Sequence, residues 1–139
     1  MTEIKFKQFF DRATVIQHVK DGTKSVLSKA GAFIWRRAKS SIRKRKKIAD
    51  AGSPPSGHTN RLRDLIFFAF DEASRSVVVG PLFFKKKNGG KTVPLLLEEG
   101  GVGVNSRGKP ATYRKFPFMQ PALEKEQHNF PELFANSIK

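Results

Sequence analysis

A chain of 139 residues is long enough for one domain with a modest hydrophobic core and too short for two. Its 27 Lys and Arg against 12 Asp and Glu give a net charge of +15, which predicts an anionic partner such as nucleic acid, a membrane surface or acidic protein faces. The absence of Cys excludes disulfides, a thiolate nucleophile and a Cys-ligated metal.

The N-terminal residues predict neither export nor insertion into a membrane. They lack the basic region, the long apolar stretch and the small-residue cleavage site of a signal peptide. No apolar run in the chain approaches the ~20 residues that a bilayer span requires. We therefore expect a protein that is made in the cytoplasm, stays soluble and has no membrane partner.

Residues 1–22 are predicted to form an N-terminal arm and a short helix. Residues 4–10 alternate briefly between apolar and polar side chains, like a short strand. Asp11 is a suitable N-cap for the helix, which is expected to break near Gly22. The side chains expected to point inward are those of Val15, Ile16 and Val19.

Residues 23–48 are predicted to form one long basic helix, which Thr23 can cap. At about 100° per residue, its apolar and basic side chains separate onto opposite sides. A helix of this length spans about 37 Å. The apolar side carries Val26, Leu27, Ala30, Phe33, Ile34, Ala38 and Ile42, and the basic side carries Arg36, Lys39, Arg43, Lys46 and Lys47.

An antiparallel sheet is predicted between residues 62 and 116, after a Pro-rich loop at 49–61. Two apolar segments, 65–70 and 76–80, are separated by a turn and predict a hairpin. The same region is expected to contain a short helix at 94–99, a third strand at 111–116, and mobile loops at 84–92 and 100–110.

Phe116–Leu123 reads as a strand-to-helix junction framed by two prolines. Pro117 pushes the preceding residue into an extended conformation, and Pro121 suits the first turn of a helix. Phe118 and Met119 lie between the prolines and must pack against apolar groups. These groups belong either to the core of the same chain or to a neighbouring subunit, and the pattern leaves both interpretations open.

Residues 117–139 are predicted to form a C-terminal helix that Pro131 kinks or restarts. The predicted fold is therefore a single α+β domain, in which a long N-terminal amphipathic helix and a C-terminal helix pack on a small antiparallel sheet. The side chains that share one face of the C-terminal helix are Leu123, Gln127, Phe130, Phe134 and Ile138.

The histidines do not form a catalytic or metal-binding pattern. His18, His58 and His128 are isolated from one another, without the spacing of a His–x–His or HExxH site. His58 lies near Ser53 and Ser56, but its loop offers no carboxylate to orient the ring as a general base. We interpret His58 as a solvated or capping loop residue.

The acidic and glycine-rich segments predict no enzyme either. Asp71–Glu72 fills a turn and Glu98–Glu99 ends a short helix, where adjacent side chains point apart, so we interpret both pairs as solvated charges. The glycines at 89–90 and 100–103 lack the spacing and the flanking elements of nucleotide-binding loops. We expect no catalysis, no cofactor and no bound metal.

The basic side of the long helix has two interpretations. It can contact phosphates, whose counterions would be released on binding, or it can be a solvated face that keeps the protein in solution. Eight Lys or Arg residues lie between positions 36 and 47. Reading of specific bases is not predicted, because no helix-turn-helix pattern is visible.

Four segments stand out by their order along the chain. They are Ser40-Ser-Ile-Arg-Lys-Arg-Lys-Lys47, Gly52-Ser-Pro-Pro-Ser-Gly-His-Thr-Asn-Arg-Leu-Arg63, Ser76-Val-Val-Val-Gly-Pro81, and Val93-Pro-Leu-Leu-Leu-Glu-Glu-Gly-Gly101 followed by Phe116-Pro-Phe-Met-Gln-Pro-Ala-Leu123. In this order they resemble the neck, or tail-completion, proteins of tailed bacteriophages and prophages, also described as minor tail or virion-morphogenesis proteins. The resemblance extends over roughly residues 24–127. Asn60 stands where this family often has Gly, and Glu99 where an aromatic residue is common.

The resemblance implies a structural role in the virion neck or tail, after assembly in the host cytoplasm. It implies a homo-oligomeric ring, a hexamer or dodecamer, between the head-side connector and the tail terminator or tube proteins, with genomic DNA in the lumen. Rings form through head-to-tail interfaces, in which two different surfaces of the subunit meet. Under this hypothesis Pro94–Leu97 and Phe116–Leu123 are buried against a neighbouring subunit.

These observations define the candidate residues. For contact with DNA or another anionic partner we predict Arg36, Lys39, Arg43, Lys46 and Lys47, and for the subunit interface Leu96, Phe118 and Met119. The alternative function is a small basic nucleic-acid-binding protein, for which the charge is equally suitable. A nuclease would require clustered carboxylates, which the sequence does not contain.

Overall fold

The protein is α+β, as predicted: a long N-terminal helix and C-terminal helices pack with small, mostly antiparallel sheets. The computed structural model describes residues 12–82, 84, 91–105 and 107–137. The predicted strand at 4–10 and most of the predicted loop at 84–92 lie outside these residues.

The first helix, α1 (Arg12–Ser41), is one continuous element of 30 residues. The predicted break at Gly22 and the separate helix beginning at residue 23 are therefore wrong. Glycine inside a helix costs only about 1 kcal/mol relative to alanine, which packing can outweigh. A Cβ at Gly22 would lie 3.4 Å from the carbonyl oxygen of Ser137, so the helix packs closely against the C-terminal part of the chain here.

The helix ends at Ser41, well before the predicted end at residue 48. The hydroxyls of Ser40 and Ser41 each donate a hydrogen bond to the carbonyl three residues earlier, which competes with helix continuation. The five basic residues at 43–47 would also repel one another on successive turns. Instead, β1 (Arg43–Lys44) pairs in parallel with β2 (Ser56–Gly57).

One side of α1 supplies much of the core. Its buried side chains recur every four residues, which places them along a single stripe, and Ile42 continues the buried set just beyond the helix. The amphipathic prediction is confirmed for these residues, whereas Phe33 is partly exposed. The buried side chains of the stripe are Val26, Ala30, Ile34 and Ala38.

The predicted hairpin is confirmed. A short helix, α2 (Arg61–Asp64), leads into β3 (Ile66–Asp71), which pairs antiparallel with β4 (Ser76–Pro81). Ile66 lies opposite Pro81 and Asp71 opposite Ser76, so the register is regular along the whole hairpin.

The hairpin lies very close to α1. A Cβ at Gly31 would lie 2.4 Å from Cγ2 of Val77, so only glycine allows this approach. The indole N–H of Trp35 donates a hydrogen bond of 2.7 Å to the carbonyl oxygen of Ile66. The ring of Trp35 also packs against that of Phe68, with 5.6 Å between the centroids.

The segment after the hairpin contains a predicted helix and an unpredicted sheet. The short helix is confirmed as α3 (Val93–Glu99). The predicted loop at 100–110 is instead part of a second hairpin, in which β5 (Gly101–Val104) pairs antiparallel with β6 (Pro110–Tyr113). The third strand therefore does not extend the first hairpin, and it ends before residue 116. Glycine hides the strand pattern of β5, because it has no side chain to alternate.

The C-terminal helix is divided, as predicted for a chain with Pro131. It consists of α4 (Met119–Glu126), a 3₁₀ turn at Gln127–Asn129 and α5 (Phe130–Ala135), with Pro131 in the first turn of α5. The predicted apolar face is only partly confirmed: Phe130 packs partly buried against the core, Leu123, Gln127 and Phe134 are exposed, and Ile138 lies outside the described residues. The buried residues of α4 are instead Ala122 and Glu126.

Glu98, on α3, caps the first turn of α4. Its carboxylate accepts hydrogen bonds from the backbone N–H groups of Phe118, Met119 and Gln120, at 2.9, 3.1 and 2.7 Å. The first N–H groups of a helix have no partner within the helix, and a negative charge there is favourable. The prediction that Glu98 is only a solvated charge is therefore wrong.

The core lies where α1, the first hairpin and α4 meet. Phe118 is 1% exposed and packs there with buried side chains of α1 and β3. Beside this core, the Arg37 guanidinium donates a 2.5 Å hydrogen bond to the buried carboxylate of Glu126 and so joins α1 to α4. The buried cluster consists of Ile34, Ala38, Ile42, Ile66, Phe118 and Ala122.

Replacing Glu98 should destabilise the protein through the loss of this cap. We expect Glu98→Ala to lower the free energy of unfolding by about 1–2 kcal/mol. Glu99→Ala removes the same charge from an exposed neighbour and should have little effect. Urea denaturation of both variants measures the difference, and losses of equal size would show that the three hydrogen bonds contribute nothing.

Replacing Phe118 should affect folding of the subunit itself. Phe118→Ala removes a fully buried ring and should cost about 3–5 kcal/mol. The control is Phe134→Ala, which truncates a partly exposed ring and should cost much less. Thermal unfolding followed by circular dichroism measures both, and a small loss for Phe118→Ala would contradict its assignment to the core.

Candidate functional site

The predicted basic stripe does not lie on one helix. Arg36 and Lys39 occupy the last turns of α1, whereas Arg43 belongs to β1, and Lys46 and Lys47 follow it outside any helix. The Nζ of Lys39 lies 4.6 Å from the ring centroid of Trp35, so this ammonium group is already engaged by an aromatic face. The single stripe fails because α1 ends at Ser41.

A groove lies beside the basic segment that follows α1. It has a volume of about 300 Å³, and we call it the basic groove. Among the charged residues that line it are three cations and one carboxylate, Asp50. Its lining residues are Ser41, Arg43, Arg45, Lys47, Ile48, Ala49, Asp50, Ser53, Pro54, Pro55 and Ser56.

The structure separates the predicted anion-contact residues. Arg43 and Lys47 line the basic groove, whereas Lys46, Arg36 and Lys39 do not. Arg45 also lines the groove but is absent from the helical prediction, because helical spacing assigns it to another side. Strand spacing would have identified it, since alternate residues of an extended segment share a face.

The predicted interface residues lie inside the subunit. Leu96 and Phe118 are 0% and 1% exposed, and Met119 is partly buried against the core. Gly103 covers Leu96 so closely that a Cβ there would lie 2.5 Å from Cδ1. Leu96 and Phe118 therefore have no surface with which to contact a neighbour, and their assignment to the interface is wrong. An apolar run in the sequence does not distinguish burial in the core of a subunit from burial at an interface between subunits.

Other apolar side chains do reach the surface. One side of the first hairpin faces away from α1 and carries Phe67, Ala69, Val78 and Leu82, all of them exposed. We call this the outer hairpin face. Val78, at 61% exposure, is the most exposed of the large side chains there. The sequence contained a signal for this face, because Ile66–Phe70 is apolar without interruption and a two-stranded hairpin buries one side only.

A second apolar surface lies on the first turns of α1. Val15, Ile16 and Val19 were predicted to point inward, but all three are exposed. We call them the helix stripe. The inward prediction fails because it placed the three residues on a short helix of their own, folded back on the core, whereas they belong to the continuous α1.

The candidate catalytic groups of the Pro-rich loop are Ser53, Ser56 and His58, of which Ser56 and His58 line one cavity of about 120 Å³. The hydroxyl of Ser53 donates a hydrogen bond of 2.6 Å to the carbonyl oxygen of Asp50, and His58 is exposed. Within the described ranges, no three His, Asp or Glu side chains lie close enough together to hold a metal ion.

Asp71 has a structural role at the turn of the first hairpin. The hydroxyl of Ser74 and the backbone N–H of Ala73 donate hydrogen bonds to its carboxylate, at 2.6 and 3.0 Å, and these lower the pKa of Asp71 below its ordinary value. Because the pKa of Asp71 is lower in the folded protein, its hydrogen bonds stabilise the fold at pH values above the pKa of the unfolded state. This stabilisation is lost as the pH falls through the pKa of the folded state. Neighbouring Glu72 pairs with Lys24 of α1.

In the part of the chain that the structure describes, no helix combines the length and apolar character that a membrane span requires. No protein-family model, curated protein or solved structure matches this chain. The structural features that bear on function are the basic groove, the outer hairpin face and the helix stripe.

Proposed function

We propose that this chain is a non-enzymatic structural protein of a phage or prophage virion. It forms a ring at the head-tail neck or tail end, joins the head connector to the tail tube and lets DNA pass. The observation that carries the proposal is the presence of two different exposed apolar surfaces on one small, strongly basic subunit. The resemblance of the four ordered segments to neck proteins is the basis on which we propose this location in the virion.

Two different surfaces are what a ring requires. In a closed ring each subunit presents one surface to the subunit before it and another to the subunit after it. The helix stripe and the outer hairpin face lie on different elements and have different shapes, one a helix edge and the other a flat strand pair. Exposed apolar patches of this kind mark interaction sites.

The helix stripe continues the core-facing side of α1. Val15, Val19 and buried Val26 lie within about 40° of one another around the helix axis. The first ten residues of α1 extend about 15 Å along that axis, and their apolar side chains stay exposed. This exposed, half-apolar part of the helix is suited to pack on another surface.

We assign the outer hairpin face of a neighbouring subunit as the partner of the helix stripe. Both surfaces are apolar, and a helix laid on a strand pair is the same arrangement that α1 already forms with the inner side of this hairpin. We propose that the helix stripe of one subunit packs on the outer hairpin face of the next. The net charge of +15 suits a ring whose lumen contains DNA or whose rims contact acidic rings.

Polar substitutions in either surface should prevent assembly. We expect Phe67→Ser/Val78→Ser and Ile16→Ser/Val19→Ser each to shift the purified protein from a discrete ring to a monomer, because each removes one half of the same interface. Mass photometry gives the mass of the particles, and negative-stain electron microscopy shows whether they have a central hole.

Val102→Ser is the matched control. Val102 is 66% exposed but lies on β5, outside both surfaces, so its replacement should leave the particle mass unchanged. A wild-type protein that stays monomeric at high concentration, alone and with head or tail fractions, would contradict the proposal.

The alternative is a small basic nucleic-acid-binding protein. The three cations of the basic groove favour it, because within the described residues none of them forms an ion pair. It predicts tight, salt-dependent binding of free DNA by a monomer that never assembles.

A further inference from the structure

The chain between α1 and the Pro-rich loop is uniformly positive. Residues 43–47 are Arg-Lys-Arg-Lys-Lys, and no acidic residue lies between positions 22 and 49. Such a segment is usually solvated on all sides. Here part of the segment is paired with the Pro-rich loop, so its side chains lie in different surroundings and can be told apart by position.

Backbone pairing divides the five cations into two sets. Arg43 and Lys44 pair with Ser56 and Gly57, and the N–H of Arg45 donates a hydrogen bond of 3.2 Å to the carbonyl oxygen of Gly57. Successive side chains of an extended segment point to opposite sides. The basic groove accordingly contains Arg43, Arg45 and Lys47, whereas Lys44 and Lys46 do not line it.

The opposite wall of the groove is held rigidly. Pro54 and Pro55 have restricted backbones, and Pro55 is buried. The loop is fastened at Gly52, whose N–H donates a hydrogen bond of 2.9 Å to the carbonyl oxygen of Lys115. A positive φ of 86° at Gly52 suits glycine at this point. The three cations thus face a preformed surface.

The charges of the groove are available to a ligand. Asp50 is the one carboxylate that lines it, against three cations. The ion pairs formed among the described residues are Lys24–Glu72 and Arg37–Glu126, which leaves the groove cations without a carboxylate partner there. Arginine presents a planar fork of N–H groups that matches phosphate oxygens.

We propose that the basic groove binds the phosphodiester backbone of nucleic acid through Arg43, Arg45 and Lys47. Arg43 and Arg45 are alternate residues of an extended segment and lie about 6.6 Å apart along it, whereas the chain bends at 46–47, where Lys47 also lines the groove. One DNA strand presents a phosphate every ~3.4 Å along the helix axis, so about two phosphates lie within the spacing of the two arginines. This inference rests on the proposed function in one respect, namely that the polyanion bound in the groove is DNA.

Two double variants with equal loss of charge test the proposal. Arg43→Gln/Arg45→Gln removes two groove cations, and Lys44→Gln/Lys46→Gln removes two from the other side of the same segment. Fluorescence anisotropy measures the affinity of the full chain for a labelled duplex and for a single strand of the same sequence, between about 50 and 200 mM salt.

We expect the loss of affinity for the duplex to be about tenfold larger for Arg43→Gln/Arg45→Gln, the groove variant, than for Lys44→Gln/Lys46→Gln. The slope of log K against log salt should decrease in magnitude by about 1.8 for the groove variant, since each phosphate contact contributes about 0.9, and by less for the other. Arg43→Lys/Arg45→Lys keeps the charge and should recover part of the affinity, which also covers the case in which the Gln variant fails to fold.

Two results would overturn the proposal. These are no binding of either nucleic acid by the wild type, and equal losses of affinity for the two Gln variants. The mass of the particle is measured separately. A ring that does not bind DNA overturns the groove alone, and a monomer that binds through the groove overturns the ring alone.

Discussion

Everything in this fold depends on the buried stripe of α1. A two-stranded sheet is at best marginally stable in water by itself, and each sheet among the described residues has two strands. The first hairpin is stable because Gly31 lets it lie directly on α1 and Trp35 ties it to β3. The same side of α1 also receives Phe118 and Ala122. One helix therefore provides the apolar surface that the small elements lack.

The C-terminal part of the chain is connected by charge as well as by apolar contacts. Glu98 accepts hydrogen bonds from three backbone N–H groups at the start of α4. At the other end of α4, Glu126 accepts a hydrogen bond from Arg37 of α1. Both carboxylates are bound to groups far away in the sequence. As a result, α3, α4 and α1 are held together by hydrogen bonds that a strongly basic chain forms with its few acidic residues.

The small size of the core also determines which side chains are exposed at the surface. The hairpin that packs on α1 has a second side whose apolar side chains are exposed, which is the outer hairpin face. The early end of α1 likewise releases the basic segment into an extended conformation, where alternation sorts its cations. The apolar surfaces and the basic groove are thus consequences of a small fold organised around one helix, and our functional proposals rest on them.

Local pattern alone determined the α+β class, the buried stripe from Val26 to Ala38, the first hairpin and the restart at Pro131, because each depends on residues within a few positions of one another. Only the tertiary structure decided that α1 runs through Gly22, since packing against Ser137 outweighs the local preference for a break, and that the segment after Ser41 pairs with Ser56–Gly57. It also decided that Phe118 is core and that Glu98 is a cap, because the groups that bury or bind them are distant in the sequence.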